Sequence, residues 1–170
     1  IELVTVEAFP EAMEKFKAGE CDLVTTDGSG LVGNRAKEGA LNDWAIFPAS
    51  PISKEPLGPV YRSNDSQWAD IVNWTVYATF IADEYGVGRA NVDSFDYDAN
   101  PEMGRLMGKN DGELQTVMGL SADAFYNVIK QVGNYDEIYS KNLNPVGLYR
   151  EGSANAPWTE GGLIYAPPAR

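Results

Sequence analysis

The sequence predicts an α/β fold, and the order of its apolar segments carries that prediction. An apolar run at residues 2–8 is followed by an amphipathic segment and then by a second apolar run at residues 21–26. Strand, helix and strand in so short a span form a βαβ unit, whose crossover should be right-handed. A third strand is predicted at residues 44–47, and helical patterns dominate the rest of the chain.

The composition is that of a folded globular chain with a strong acidic excess. The chain has 170 residues, a formal net charge of -12 and 44% hydrophobic residues, which fits one domain or parts of two. The negative charge argues against nucleic acid as a partner, because phosphates would be repelled. No apolar run approaches the roughly 20 residues of a membrane-spanning helix. The absence of a signal segment before Ile1 fits a mature secreted protein or a fragment.

The residue types that are absent exclude several kinds of site. Histidine is missing, which removes Ser-His-Asp triads and HExxH zinc sites. The lone Cys21 gives no internal disulfide and no cysteine metal cluster; it is a buried strand residue or has a partner outside this chain. We therefore predict no catalytic residues, no metal and no cofactor. Asp96, Asp98 and Asn100 begin like a calcium loop, but the later positions of that motif do not match.

The two helices of the N-terminal part have clear boundaries. Pro10 suits the first turn of a helix that runs to residue 18, because its missing N–H would be unpaired there anyway. Met13 and Phe16 lie on one face of this helix, and Gly19 ends it. After the second strand, a Gly/Ser turn leads into a helix that runs to about residue 37.

A change in composition then marks a connector. Residues 48–59 contain four prolines, which fix φ and disfavour helix in the residue before them. We predict that residues 52–62 form an extended crossing between two lobes.

The remaining residues are predicted to be mostly helical. Asn64 is the expected N-cap of the longest helix, which stops before Gly86. An acidic loop follows at residues 90–100, and Asn100 and Ser121 are expected to cap two further helices. Asn134 and Glu137 have the spacing of a capping box. The tail, residues 158–168, is predicted to lie as an extended strap over another surface.

Asp27 is the main candidate for a binding role. It stands at the carboxyl end of the second predicted strand, and ligands of parallel sheets bind outside such ends. We interpret Asp27, flanked by Thr26 and Gly28, as the group that binds the ammonium of a small ligand. The alternative is that Asp27 only caps the following helix, which aspartate does well.

The order of motifs resembles a known family. The run AGECDLVTTDGSGL resembles the second-lobe signature of type II periplasmic solute-binding proteins. Three later segments are similar to the general L-amino-acid-binding proteins of ABC uptake systems: SKEPLGPVYR, VIKQVGNYDEIY and WTEGGLIYAPPAR. The similarity covers nearly the whole chain, and the three later segments in this order are its specific part.

The resemblance implies a fold, a function and a location. The fold is type II periplasmic-binding-protein-like, with residues 1–51 as the remainder of lobe two, 52–62 as a hinge and 63–170 as the C-terminal share of lobe one. The implied function is capture of an L-amino acid in the periplasm and delivery to an ABC permease at the inner membrane. By this resemblance Asp27 binds the α-ammonium and Asp22 is structural. The alternatives are an enzyme on the same fold, a dehydratase or cell-wall lyase, and a truncated remnant without ligand.

The resemblance also implies that an N-terminal segment of the full fold is missing. That segment holds the family's α-carboxylate ligands and a cysteine that is the implied disulfide partner of Cys21. We therefore expect little amino-acid binding by this chain alone. Incomplete sheets have unpaired edges, so the chain should associate with the missing segment, self-associate or repack.

Overall fold

The chain consists of two compact units of helices joined by irregular segments. The computed structural model describes residues 1–48, 50–53 and 57–169. One unit is Ile1–Pro56 and the other is Leu57–Arg170. The centre of the predicted hinge, residues 54–56, lies outside the described residues. Within the described part, no helix is both long and apolar enough to cross a membrane.

The first unit is built on two helices. Helix α1 spans Phe9–Lys17 and helix α2 spans Gly28–Lys37. Each has one buried apolar residue, Met13 in α1 and Val32 in α2. Gly19 ends α1 with a φ of 74°, a left-handed conformation that glycine adopts without strain. Both predicted helices are confirmed.

The three strands predicted for this unit are wrong for the described residues. Residues 2–8, 21–26 and 44–47 form no β-ladder, so the predicted βαβ unit has no sheet. A strand needs the N–H and C=O groups of a neighbouring strand, and the described residues provide no such neighbour. Apolar side chains in these segments stay exposed, with Leu3 80% and Leu23 62% accessible. The apolar pattern indicates a tendency to be buried, but the described residues do not cover these side chains.

The second unit is organised around one long helix, α3, which spans Ser66–Glu84. The other helices of the described residues in this unit are α4 (Pro101–Leu106), α5 (Leu114–Val117), α6 (Ala124–Val132), α7 (Tyr135–Leu143) and two 3-10 turns, Asn144–Val146 and Trp158–Glu160. Helices α4, α6 and α7 contact α3. The fully buried apolar core includes Ala78, Val87, Val92, Met103, Leu106, Met107, Phe125 and Ile129.

Two predicted N-caps are displaced by one or two residues. Asp65, rather than Asn64, caps α3, and its carboxylate accepts a hydrogen bond of 3.1 Å from the backbone N–H of Trp68. Asn64 has a φ of 66°, a left-handed conformation that asparagine tolerates, and this places Asp65 at the cap. Helix α6 begins after Asp123 rather than after Ser121.

The predicted capping box at the start of α7 is confirmed. The side chain of Asn134 accepts a hydrogen bond from the N–H of Glu137, and the Glu137 carboxylate accepts one from the N–H of Asn134, both at 2.9 Å. The same carboxylate also accepts a 3.1 Å hydrogen bond from the N–H of Arg89. Gly88 leaves the space for it, because a Cβ there would lie 2.5 Å from Glu137 Oε2. Glu137 therefore joins α7 to the segment after α3.

Replacing Glu137 by alanine should destabilise the chain by about 1–3 kcal/mol, because the partly buried N–H of Asn134 and the N–H of Arg89 lose their acceptor. Urea denaturation followed by circular dichroism measures this loss. The control is Glu151→Ala at an exposed turn residue, which should change stability by less than about 0.5 kcal/mol. Equal losses in the two variants would show that Glu137 does not hold these elements together.

Arg150 is a buried cation that joins three parts of the second unit. Its side chain is 6% exposed. Its Nη1 lies 2.8 Å from Asp83 on α3 and 3.1 Å from Asp136 on α7, and its Nε donates to the carbonyl of Asn155 at 2.9 Å. The guanidinium also stacks 4.9 Å from the centre of the Tyr135 ring. Burial raises the pKa of Asp83, and the hydrogen bond from Arg150 opposes that rise.

The C-terminal tail lies against the second unit, as the strap prediction requires. Trp158 Nε1 donates to Glu84 at 3.0 Å, and the N–H of Ala169 donates to Glu102 at 2.9 Å. Ala169 is buried in the core. The tail is not wholly extended, because it contains the 3-10 turn Trp158–Glu160 and an isolated parallel bridge between Pro157 and Ile164.

Candidate ligand-binding site at the start of helix α2

The candidate site is the N-terminal end of α2, where Asp27 is the N-cap residue. The Asp27 carbonyl accepts the first helical hydrogen bond, from the N–H of Leu31 at 2.9 Å. Its carboxylate makes no capping hydrogen bond, although an N-cap aspartate usually bonds to an N–H of the first turn. The side chain is exposed to solvent. Its carboxylate is thus available to a ligand and is not sealed beneath other side chains.

The residues beside Asp27 leave space around its carboxylate. Thr26 and Gly28 are exposed, and a Cβ added to Gly28 would meet no atom within 4 Å. A Cβ added to Gly30 would lie 3.3 Å from the Thr26 methyl and 4.0 Å from Asp27 Oδ2. The first turn is reinforced by Asn34, whose side-chain amide donates to the Gly30 carbonyl at 2.8 Å. The glycines therefore keep the surface beside Asp27 open.

Asp27 lies at the positive end of the α2 helix dipole. The first N–H groups of a helix have no intrahelical partner and carry a partial positive charge, which stabilises a nearby anion. An ionised carboxylate only accepts hydrogen bonds, and an ammonium group only donates them. The three predicted site residues, Thr26, Asp27 and Gly28, are consecutive in the chain, so they lie together; the binding role assigned to them stays a prediction.

The other two residues singled out near this site have simple environments. Asp22 is exposed, and the structural role implied for it stays a prediction. Cys21 is half-buried and free, so its implied disulfide also stays a prediction.

A concave region lies in the other unit, at the acidic loop. A cavity of about 380 Å³ is lined by Asp93, Phe95, Asp96, Tyr97, Asp98, Lys109 and Asn110. The Asp96 carboxylate already has a partner within the loop, because it accepts a hydrogen bond of 3.0 Å from the N–H of Ala99. Among the residues for which coordinates are described, no group of three or more carboxylates or thiols could hold a metal ion.

One polar network beside this loop was missed by the sequence analysis. The Tyr126 hydroxyl donates to Asp93, and Lys130 Nζ lies 3.0 Å from the same carboxylate. These two hydrogen bonds lower the pKa of Asp93, and the bond from Tyr126 has the larger effect. Tyr126 and Lys130 are four residues apart on α6, a spacing that places them together. Nothing in the sequence linked them to Asp93, which lies in a loop before α4.

Comparison with known proteins finds similar sequences of one kind. The chain is a homologue of the periplasmic amino-acid-binding proteins of ABC transporters, as the sequence motifs predicted. These homologues are named as binding proteins. The chain spans about half the length of the curated relatives it matches. No protein-family model matches it.

Individual relatives are similar over nearly all of this chain. The general L-amino acid-binding periplasmic protein AapJ of Rhizobium johnstonii is 44% identical over 98% of the chain, which corresponds to 49% of AapJ. The glutamate/glutamine/aspartate/asparagine-binding protein BztA of Rhodobacter capsulatus is 44% identical over 94% of the chain and 47% of BztA. A solved periplasmic binding protein from Brucella ovis, with glutathione bound, matches 98% of the chain and 52% of its own, with a TM-score of 0.89 and 40% identity.

Proposed function

We propose that this chain is part of the substrate-binding component of an ABC uptake system, which captures L-amino acids in the periplasm and delivers them to a permease at the inner membrane. The observation that carries the proposal is the exposed carboxylate of Asp27, which makes no capping bond at the start of α2. The names of the relatives support the same ligand class. In the proposed complete fold, residues 1–51 and 63–170 belong to two lobes and residues 52–62 to the hinge.

A zwitterionic ligand must be bound at both charged ends, because a buried charge without a partner is costly. Micromolar affinity corresponds to about -8 kcal/mol. Asp27, with Thr26 and Gly28, supplies the partner of the ammonium only. The carboxylate partner belongs to the other half of the fold. We use the name completed protein for this chain joined to residues equivalent to the half of its relatives that it does not match.

The chain alone should therefore bind L-amino acids very weakly, whereas the completed protein should bind them at micromolar concentrations or below. Isothermal titration calorimetry with a panel of L-amino acids measures both. A ligand that binds only the folded state raises the melting temperature, which gives a second readout. Micromolar binding by the isolated chain would contradict the division of the site between two halves.

Glutathione is a second candidate ligand, because the solved Brucella ovis relative holds it. Its γ-glutamyl group has a free α-ammonium and α-carboxylate, so Asp27 could bind it as it binds an amino acid. N-acetylation removes the ammonium charge from either ligand. Titration with L-glutamate, glutathione and their N-acetyl forms therefore tests the role assigned to Asp27: the acetylated forms should not bind.

An enzyme on the same fold and a truncated remnant without ligand are the alternatives. The relatives are named as binding proteins, which favours binding over catalysis. Incubating the completed protein with amino acids and analysing the mixture by mass spectrometry would reveal any product. If the chain is a remnant without ligand, no L-amino acid should raise the melting temperature of the completed protein.

The partners proposed for the chain follow from the same function. They are an L-amino acid, the ABC permease, and either the half of the relatives' length that the chain does not match or a second copy of the chain. No nucleic-acid partner is proposed, because the net charge is -12.

A further inference from the structure

We infer that the cavity at the acidic loop, which we call the acidic-loop cavity, is a second ligand site and that it binds a basic L-amino acid such as arginine. All the residues that line it belong to the second unit, so it is separate from the site around Asp27. The inference goes beyond the proposed function, because it needs neither Asp27 nor the half of the relatives that this chain does not match.

The first argument is the size of the acidic-loop cavity. Its volume of about 380 Å³ lies within the range of roughly 300–1,000 Å³ that is usual for small-molecule sites. Another concave region of the same unit, beside Leu106 and Ala169, has a volume of about 20 Å³ and holds at most a water molecule. The acidic-loop cavity therefore has room for a free amino acid.

The second argument is that two carboxylates of the cavity can accept hydrogen bonds from a cation. Asp98 is exposed and belongs to none of the ion pairs of the described residues. Asp96 uses its Oδ1 to accept a backbone N–H of its own loop at 3.0 Å, which leaves its Oδ2 for a ligand. Asp93 differs, because it already accepts hydrogen bonds from Tyr126 and Lys130. The cavity thus offers two anionic positions.

The third argument is a cation in the same lining. Lys109 is exposed, and its Nζ lies 3.7 Å from the centre of the Tyr126 ring, a contact that holds the ammonium in place. Among the ion pairs of the described residues, none includes Lys109, whereas Lys130 is paired with Asp93. A lysine ammonium only donates hydrogen bonds, so it suits an anionic group of a ligand.

The rest of the lining suits the hydrocarbon part of a ligand. Phe95 and Tyr97 are half-buried, and their rings meet edge to face with 5.2 Å between the ring centres. The Tyr97 hydroxyl donates to the Val92 carbonyl at 2.6 Å, so the ring offers mainly an apolar surface. Asn110 stabilises this wall, because its side-chain amide donates to the Tyr97 carbonyl at 3.2 Å. Aromatic rings also attract guanidinium groups.

The charges of the lining indicate the class of ligand. Asp96 and Asp98 offer two anionic positions and Lys109 offers one cationic position. A basic amino acid has the complementary charges, because it carries two cationic groups, one carboxylate and an aliphatic stem. An acidic amino acid would bring two carboxylates near these aspartates, and like charges repel. A metal ion is a poorer occupant, since the described residues contain no group of three suitable ligands.

The first test titrates L-arginine into the isolated chain and follows the backbone amides by NMR. We expect saturable shifts at residues 93–98 and 109–110, with a dissociation constant on the order of millimolar because the charges are exposed. L-Citrulline replaces the guanidinium by a neutral urea group, so it should bind at least about threefold more weakly than L-arginine. L-Glutamate should cause no saturable shift at these residues.

Matched variants test the two kinds of charge. Asp98→Asn should weaken L-arginine binding at least about threefold, whereas Asp111→Asn, at an exposed aspartate outside the lining, should not. Lys109→Met keeps the aliphatic stem beside Tyr126 and removes the ammonium. It should weaken L-arginine at least about threefold but not agmatine, which lacks the carboxylate. Lys141→Met is the control for the loss of an exposed lysine.

Three results would overturn the inference. One is the absence of saturable shifts at residues 93–98 up to roughly 50 mM L-arginine, well above a millimolar dissociation constant. Another is equal weakening of L-arginine binding by Asp98→Asn and Asp111→Asn, which would mean that the attraction comes from the net charge of the chain. The third is a set of shifts confined to residues 26–28, which would place arginine at the start of α2 and leave the proposed function standing.

Discussion

Replacing Arg150 by methionine is expected to destabilise the chain by about 3–5 kcal/mol, because removal of one member of a buried ion pair leaves the other charge without a partner. Methionine retains part of the aliphatic stem that packs in the unit, so the loss reports mainly on the charge. Asp83 is the residue most affected, since its side chain is 14% exposed and its Arg150 contact is 2.8 Å long. Urea denaturation measures the change.

The control for this variant is Arg89→Met, which removes an exposed guanidinium from the same unit. Its effect should stay within about 0.5 kcal/mol. If Arg150→Met were as mild as Arg89→Met, the contacts of the Arg150 guanidinium would not be what joins α3, α7 and the following loop.

The pH dependence of the Arg150 variant gives an independent check. Burial already raises the pKa of Asp83, and loss of the opposing hydrogen bond from Arg150 should raise that pKa further. A carboxyl group with a raised folded-state pKa favours folding when protonated, so its stabilising effect is lost as pH rises through that pKa. The stability deficit of the variant should therefore be largest near neutral pH. It should shrink as the pH falls toward the ordinary Asp value of 3.8.

Replacing Asp27 by alanine in the completed protein should weaken L-amino-acid binding by about 2–5 kcal/mol, much of it from leaving the ammonium without a partner. This corresponds to a loss of about 30-fold to about 4,000-fold in affinity. The stability of the chain should change little, because the Asp27 side chain makes no capping hydrogen bond. Calorimetry and urea denaturation together separate these two effects.

Two further variants refine the Asp27 test. Asp27→Asn keeps the shape of the side chain and removes its charge, so it should also lose affinity if the ammonium contact is ionic. Asp43→Ala removes another exposed aspartate of the same unit and should bind normally. Unchanged affinity in Asp27→Ala would reject the assigned role.

Local features were predictable from the sequence because their partners lie within a few residues. The capping box of Asn134 and Glu137 and the helix end at Gly19 are such features. The cap of α3 was displaced by one residue because the left-handed conformation of Asn64 was not visible in the sequence. The three predicted site residues are consecutive, so their proximity followed from the sequence alone.

Features that depend on distant residues were not predictable. Arg150 pairs with Asp83, 67 residues earlier, and no periodic pattern connects them. The predicted strands fail for a related reason: their apolar residues indicate burial, but the partners that would pair with them are not among the described residues. Sequence patterns thus predicted which segments tend to be buried, whereas pairing depends on which other segments are present.

The most direct test of the central claim is a crystal structure of the completed protein with a bound L-amino acid. We expect a carboxylate oxygen of Asp27 at about 2.7–2.9 Å from the ligand's ammonium nitrogen, the length of a charge-assisted hydrogen bond. An amino acid bound with its ammonium held by other residues, and with Asp27 facing solvent, would contradict the account.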